Sequence, residues 1–140
     1  MQGKIILSAI IMSAAWGVYA QSADGQDAPT EFKTPSGNIV CSGDEGGLSC
    51  YVKERDGEPA LPQPPDCRLS WGGFFHLPAE GKVEMKCVGD YPFARTQPVL
   101  PYNETVRNGS WRCVSRQDGL YCTNLLHHGF LLNRKEQIVF

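Results

Sequence analysis

The residues of this 140-residue chain best suited to chemistry are two adjacent histidines in "NLLHHGFLLNR", Asn124–Arg134. A neutral imidazole takes up a proton near pH 7 and can ligate a metal. His127 or His128 beside a carboxylate would therefore supply the general base of a small hydrolase. With His76, the one other histidine, they would form a three-imidazole metal site, which their spacing does not support. Neighbours on an extended strand point to opposite sides. Gly129 argues instead for a tight turn or bulge feeding a strand at Phe130–Leu132, and so for a structural role. Neither G-x-S-x-G nor H-E-x-x-H occurs. A scattered Ser–His–Asp set is a question of geometry, not of sequence order. "WGGFFHL" offers Trp71, Phe74 and His76 as a platform for a carbohydrate or peptide, although such aromatics more often fill a core. The sequence assigns no catalytic residue, metal or cofactor.

Six cysteines are the second group with chemistry: Cys41, Cys50, Cys67, Cys87, Cys113 and Cys122. Zinc sites usually carry C-x2-4-C pairs, and no two cysteines here stand that close. An even number behind an export signal reads as a disulfide framework. "CSGDEGGLSC" and "CVSRQDGLYC" are both C-x8-C frames with Gly-Leu before the last two residues. As hairpins they would set Cys41 opposite Cys50 with a turn near Glu45-Gly46, and Cys113 opposite Cys122 with a turn at Gln117-Asp118. Directly opposed residues on antiparallel strands come within disulfide reach. The preferred pairs are thus Cys41–Cys50, Cys113–Cys122 and, by remainder, Cys67–Cys87, among 15 connectivities for six cysteines. Two similar stapled hairpins suffice to explain the repeat. Outside the frames the match looks thin.

The elements that would position these groups are strands. Leu48, Cys50 and Val52 alternate with Ser49, Tyr51 and Lys53; Val83, Met85 and Cys87 alternate with Glu84 and Lys86. Trp111, Cys113 and Ser115 alternate likewise, as do Leu120 and Cys122. Period two is the mark of half-buried strands. Pro35 and Gly37 suit a hairpin flanked by Phe32 and Ile39. Asn108-Gly109 suits a type I′ turn that would pair Val106 with Trp111. No amphipathic helix of normal length is apparent, and "EPALPQPPDC" and "YPFARTQPVLPY" hold seven of the ten prolines. Short strands at this spacing predict an all-β fold: a small disulfide-stapled antiparallel sandwich or barrel.

Residues 1–20, "MQGKIILSAIIMSAAWGVYA", place Lys4 before an apolar run and small side chains at Val18 and Ala20, the pattern of a cleaved signal peptide. The run is shorter than the roughly 20 residues of a spanning helix, and no later run is long enough. Residues 21–30 read as a flexible lead-in and 31–140 as one domain. Cleavage would leave 12 basic and 15 acidic side chains without a basic block, which gives no footprint for nucleic acid. Asn103 and Asn108 open N-x-S/T acceptor patterns, relevant only in a eukaryotic secretory route.

"TPSGNIVC", "WGGFF", "CVGD" and "WRC…GLYCTN…HGFLLNR" together resemble a family of small exported bacterial proteins built on a domain of unknown function. The resemblance spans Phe32 to Phe140. The chain departs from it at His127, where glycine is expected, and at Asn133, where serine is expected. It implies export and paired cysteines and brings no activity. The expectation is an exported, non-catalytic binding domain of the bacterial envelope, periplasmic or secreted. Its partner would be an envelope protein, a glycan or an enzyme that it inhibits. The envelope hydrolase and the metal-binding module stand as alternatives.

Overall fold

A computed structural model describes residues 30–93 and 96–140. The signal-peptide and lead-in readings of residues 1–29 lie outside the described residues. Among the described residues, ten strands and no helix make two antiparallel five-stranded meanders, a β-sandwich. The first sheet runs β1 (Thr30–Lys33), β2 (Ile39–Asp44), β3 (Gly47–Val52), β4 (Phe74–Pro78) and β5 (Glu84–Met85). The second runs β6 (Thr105–Asn108), β7 (Trp111–Arg116), β8 (Gly119–Asn124), β9 (Gly129–Leu132) and β10 (Gln137–Val139). Among the described residues no helix is long and apolar enough to cross a membrane.

Alternation decides which side chains enter the core. Phe32, Cys41, Cys50, Phe75 and Met85 form one row straight across the first sheet. Val106, Cys113, Cys122, Phe130 and Val139 form the matching row across the second. The rows face each other between the sheets, where the Phe75 and Phe130 rings stand 6.0 Å apart. Leu48 beside Leu77 and Leu120 beside Leu132 fill the next row, all fully buried. Each sheet is thus the same meander with its disulfide at the same place.

The cysteines pair as Cys41–Cys50, Cys113–Cys122 and Cys67–Cys87. In both hairpin bridges the Cα atoms are 4.1 Å apart, and all four sulfurs lie in the core. Cys67–Cys87 ties the long β3–β4 connection to the loop just after β5 at the surface. Three disulfides fit an oxidising compartment.

The β6–β7 turn differs from the sequence expectation. Asn108 pairs with Trp111 and Val106 with Cys113, so Gly109 and Ser110 are the two central residues. Only Gly109 has positive φ (55°), the φ pattern of a type II′ turn, which takes glycine first. Contacts outside the hairpin favour this register. Ser110 Oγ donates to Glu45 O at 2.7 Å, and Asn108 Nδ2 donates to Thr30 Oγ1 at 3.0 Å. A local reading of Asn-Gly contains neither partner. β1 itself begins at Thr30, inside the stretch read as a lead-in.

Candidate functional site

A groove of about 550 Å3 lies at one end of the sandwich, where the two sheets part. Four segments border it: the β1–β2 turn at residues 34–39, the exit of β3 at Lys53 and Glu54, the β7–β8 turn at residues 115–120, and the β9–β10 turn at residues 132–134. Tyr102 adds a half-open aromatic wall. Ile39, Leu120 and Leu132 lie beneath its floor and are almost wholly buried. Ser115 lies there too because it continues the inward series Trp111, Cys113, Ser115 along β7.

The walls are held by their own hydrogen bonds. Pro35 starts a turn in which Gly37 N donates to Thr34 O at 2.8 Å. Asn38 Nδ2 donates to Glu54 O and its Oδ1 accepts from Glu54 N, both at 2.8 Å, locking that turn to the exit of β3. Asn133 Nδ2 donates to Asp118 O at 2.9 Å and Oδ1 accepts from Glu136 N at 2.7 Å, fixing the β9–β10 turn against the β7–β8 turn. Arg134 lies 3.0 Å from Glu54 and 3.8 Å from Asp56, while Arg116 lies 2.9 Å from Asp118. These pairs are exposed and contribute little stability. The result is a preformed cleft, the usual form of a small-ligand site.

One atom in the lining is anomalous. Ser115 is 1% exposed, yet its Oγ has no hydrogen-bond partner. Its backbone is satisfied, since Asn103 N donates to its carbonyl at 2.6 Å and its own N–H donates to Glu104 O at 3.0 Å. A buried hydroxyl without a partner costs about 1–3 kcal/mol, so one that lines a cleft needs an explanation.

The other end of the sandwich shows what the groove lacks. Two residues before the first half-cystine of each frame stand Ile39 and Trp111; two residues after it stand Gly43 and Ser115. Trp111 lies against Gly43, where a Cβ would come within 2.8 Å of the indole Cζ2. The indole N–H donates to Asp44 O at 2.8 Å, and the Ser110 bond to Glu45 closes the turn over it. At the groove the matching residues are the shorter Ile39 and the hydroxyl-bearing Ser115. The matching turns, around Ser36 and Gln117, stand on opposite sides of open space. The "GNIVC" and "GSWRC" segments therefore correspond beyond the cysteine frame, and both first glycines have positive φ.

The residues singled out from the sequence lie elsewhere, in three places. Trp71 is half-buried against the core edge, its indole N–H donating to Leu61 O at 2.9 Å. Phe74 and His76 share the outer face of β4. Phe74 stacks on Phe93 at 6.2 Å, within an outer aromatic cluster that includes Tyr51 and Tyr91, and Lys53 lies 5.4 Å over the Tyr91 ring. Burial raises the Tyr91 hydroxyl above its ordinary pKa, with Tyr51 adding to the shift. Ser49, His76 and Glu84 form one outward row on β3, β4 and β5, with Ser49 Oγ 3.0 Å from His76 Nδ1. Burial and then Lys86 lower the His76 pKa. The Glu84 carboxylate is bonded to Lys86 at 2.7 Å, which lowers its own pKa. The row sets a neutral imidazole beside a hydroxyl, away from the groove.

His127 and His128 occupy the β8–β9 turn, His127 with φ of 63°. Buried Asn124 organises that turn. Its Oδ1 accepts from Leu126 N and His128 N, while its Nδ2 donates to Pro78 O and Gly81 O. His127 borders a smaller hollow of about 240 Å3 whose lining includes Arg107 and Arg112 but no carboxylate side chain. Among the described residues no group of three or more His, Cys, Asp and Glu is placed to hold a metal ion, and no cysteine is free.

Sequence reasoning passed over Ser115, Ile39, Asn38, Asn133 and Tyr102. The signal that would have found the first two is the exchange of Trp-plus-Gly for Ile-plus-Ser when the two frames are aligned. No curated protein and no solved structure gives a significant match to the chain. A family profile matches residues 9–140, nearly the whole sequence, so the chain belongs to a family of unknown function (DUF6636).

Proposed function

We propose that this is an exported, non-catalytic binding domain of the bacterial envelope, and that the groove between the β1–β2 and β7–β8 turns is its ligand seat. The braced cleft of about 550 Å3 bordered by these turns carries this reading. Export is supported by the signal-peptide pattern of residues 1–20 and by the three disulfides. The fold supplies a rigid frame, and the turns at one end supply the surface for a ligand, a common division of labour in β-sandwiches.

The test is an amide chemical-shift titration of the oxidised, isotope-labelled chain against short uncharged peptides and neutral oligosaccharides. Binding should move the amides of Ser36–Ile39, Ser115–Leu120 and Leu132–Arg134. Shifts centred on Tyr51, Phe74, Tyr91 and Phe93 would place the ligand on the outer aromatic cluster and overturn this assignment. So would the absence of any shift at the groove with every probe.

A further inference from the structure

The smaller hollow, of about 240 Å3, lies toward the opposite end of the second sheet from the groove. One rung of that sheet lines it. Arg107 on β6 stands directly opposite Arg112 on β7, and Arg112 opposite Thr123 on β8, all three on the outward face. Facing residues on antiparallel strands have Cα atoms only about 4.5–5.5 Å apart. Two like charges set directly opposite each other are unfavourable, and no carboxylate offsets them. Among the described residues neither arginine belongs to an ion pair, and no acidic side chain lines the hollow. Glu45 reaches Gly109 at the edge, and Glu80 follows Ala79, whose carbonyl accepts from Leu125 N. Neither of these carboxylates pairs with the arginines. We infer that this hollow binds a phosphate group, held between the Arg107 and Arg112 guanidinium groups with Thr123 and His127 at its edge. The inference stands on this rung and does not depend on the groove.

Three observations select this ligand. The first is charge. Two exposed guanidinium groups match one dianionic group, and its arrival relieves their mutual repulsion. A long polyanion is a poor match, because the chain as a whole carries a net charge of −2. The second is donor geometry. One arginine fork satisfies a planar carboxylate by itself. A second fork, the Thr123 hydroxyl and the His127 ring suit a tetrahedral group with oxygens facing several ways. His127 reaches the edge from a backbone with φ of 63°, uncommon for a residue with a Cβ. The third is room. About 240 Å3 is several times the roughly 30 Å3 of one water molecule, enough for a phosphate and part of what it is attached to. Leu125 lines the hollow and Leu126 follows it, each 58% exposed. An apolar group esterified to the phosphate would meet these two side chains, so a lipid headgroup and a free phosphate are both sources of the same chemistry.

The test uses the full oxidised chain at constant ionic strength and four probes: inorganic phosphate, glycerol 3-phosphate, acetate, and phosphatidylcholine vesicles with and without phosphatidic acid. Inorganic phosphate and glycerol 3-phosphate should move the amides of Arg107, Gly109, Arg112, Thr123, Leu125 and His127 to saturation, and acetate should bind at least roughly tenfold more weakly. Phosphate should also raise the melting temperature. Arg107→Gln and Arg112→Gln should each weaken phosphate by roughly tenfold, the value of one charge-assisted hydrogen bond. Both side chains are exposed, so the double variant should fold with an unchanged or higher melting temperature, and phosphate should no longer raise it. Binding to phosphatidic acid vesicles that falls with Leu125→Ser/Leu126→Ser, while phosphate binding holds, would identify a lipid headgroup as the source. Binding of the soluble probes without the vesicles would identify a soluble phosphate. Equal shifts with acetate would overturn the phosphate group as the ligand. Phosphate shifts that persist in the double variant, or no shift at the hollow with any probe, would overturn the site.

Discussion

His76 shows how position on a sheet sets the chemistry of a single side chain. The Ser49 hydroxyl lies 3.0 Å from its Nδ1, Glu84 is its cross-strand neighbour, and Lys86 is bonded to that carboxylate. Burial withdraws the ring from water and Lys86 repels its proton, while Glu84 and Asp44 act the other way; burial and Lys86 prevail. The folded pKa is therefore below the ordinary imidazole value of about 6.5. Above that pH both folded and unfolded chains hold a neutral ring. As pH falls below it the unfolded chain takes up the proton first, so His76 lowers stability until pH passes the folded pKa, where the loss levels off. A proton NMR titration should place the His76 midpoint below 6.5, and Lys86→Met should move it upward. A wild-type midpoint above 6.5 would mean that Glu84 dominates. The sequence marked His76 as a candidate binding residue and possible metal ligand, and Glu84 only as a member of an alternating run. Their cross-strand pairing required the register of β4 and β5, which no local signal carries because β5 is two residues long.

Among the elements, the two stapled hairpins were the most legible. C-x8-C with a central turn fixes the facing pairs, and the register sets Cys41 against Cys50, Ser42 against Ser49, and Cys113 against Cys122. Local pattern sufficed there because turn and register lie within ten residues. It failed at Asn108-Gly109, where the register answers to Glu45 and Thr30, both more than sixty residues away. The groove was illegible for the same reason, since its walls come from three turns and a strand exit spread between Thr34 and Arg134. The bridges themselves differ in surroundings. Cys41, Cys50, Cys113 and Cys122 are fully buried, whereas Cys67 is half-buried and Cys87 exposed. Thiol–disulfide exchange needs access to a sulfur. Under graded reductant with alkylation and mass mapping, Cys67 and Cys87 should be labelled first, with the hairpin bridges opening only as the core unfolds. Closing each hairpin loop contributes about 3 kcal/mol in the chain-entropy account. Cys113→Ala/Cys122→Ala should therefore lower stability by about that much in denaturant titration, and simultaneous labelling of all six cysteines would refute the graded order.

Across the whole molecule the two meanders share an inner pattern and diverge outside it. The outer row of the first sheet reads Ser42, Ser49, His76, Glu84, whereas that of the second reads Val114, Tyr121, Leu131, Ile138. Inner equivalence with outer divergence is what a shared packing scheme produces, since core positions must interlock and surface positions need not. Inner positions also depart, as where Val52 of one meander matches buried Asn124 of the other, but the Trp111–Gly43 pair against Ile39–Ser115 is the departure that separates a closed end from an open one. If that exchange decides which end is open, the closed end can be converted. Trp111→Ile alone should cost about 2–4 kcal/mol, from lost burial and the cavity left behind. Gly43→Ser alone should cost about 1–3 kcal/mol, because its Cβ would meet the indole at 2.8 Å. In the double variant the isoleucine removes the clash with the indole, while the approach to Gly47 O at 2.9 Å remains, so the combined loss should fall short of the sum by about 1 kcal/mol. Urea denaturation of the four proteins measures this coupling. Strict additivity would show that the two positions act independently and that the open end owes nothing to the exchange. Coupling of the expected sign would locate the origin of the groove in two residues, each two places from a half-cystine.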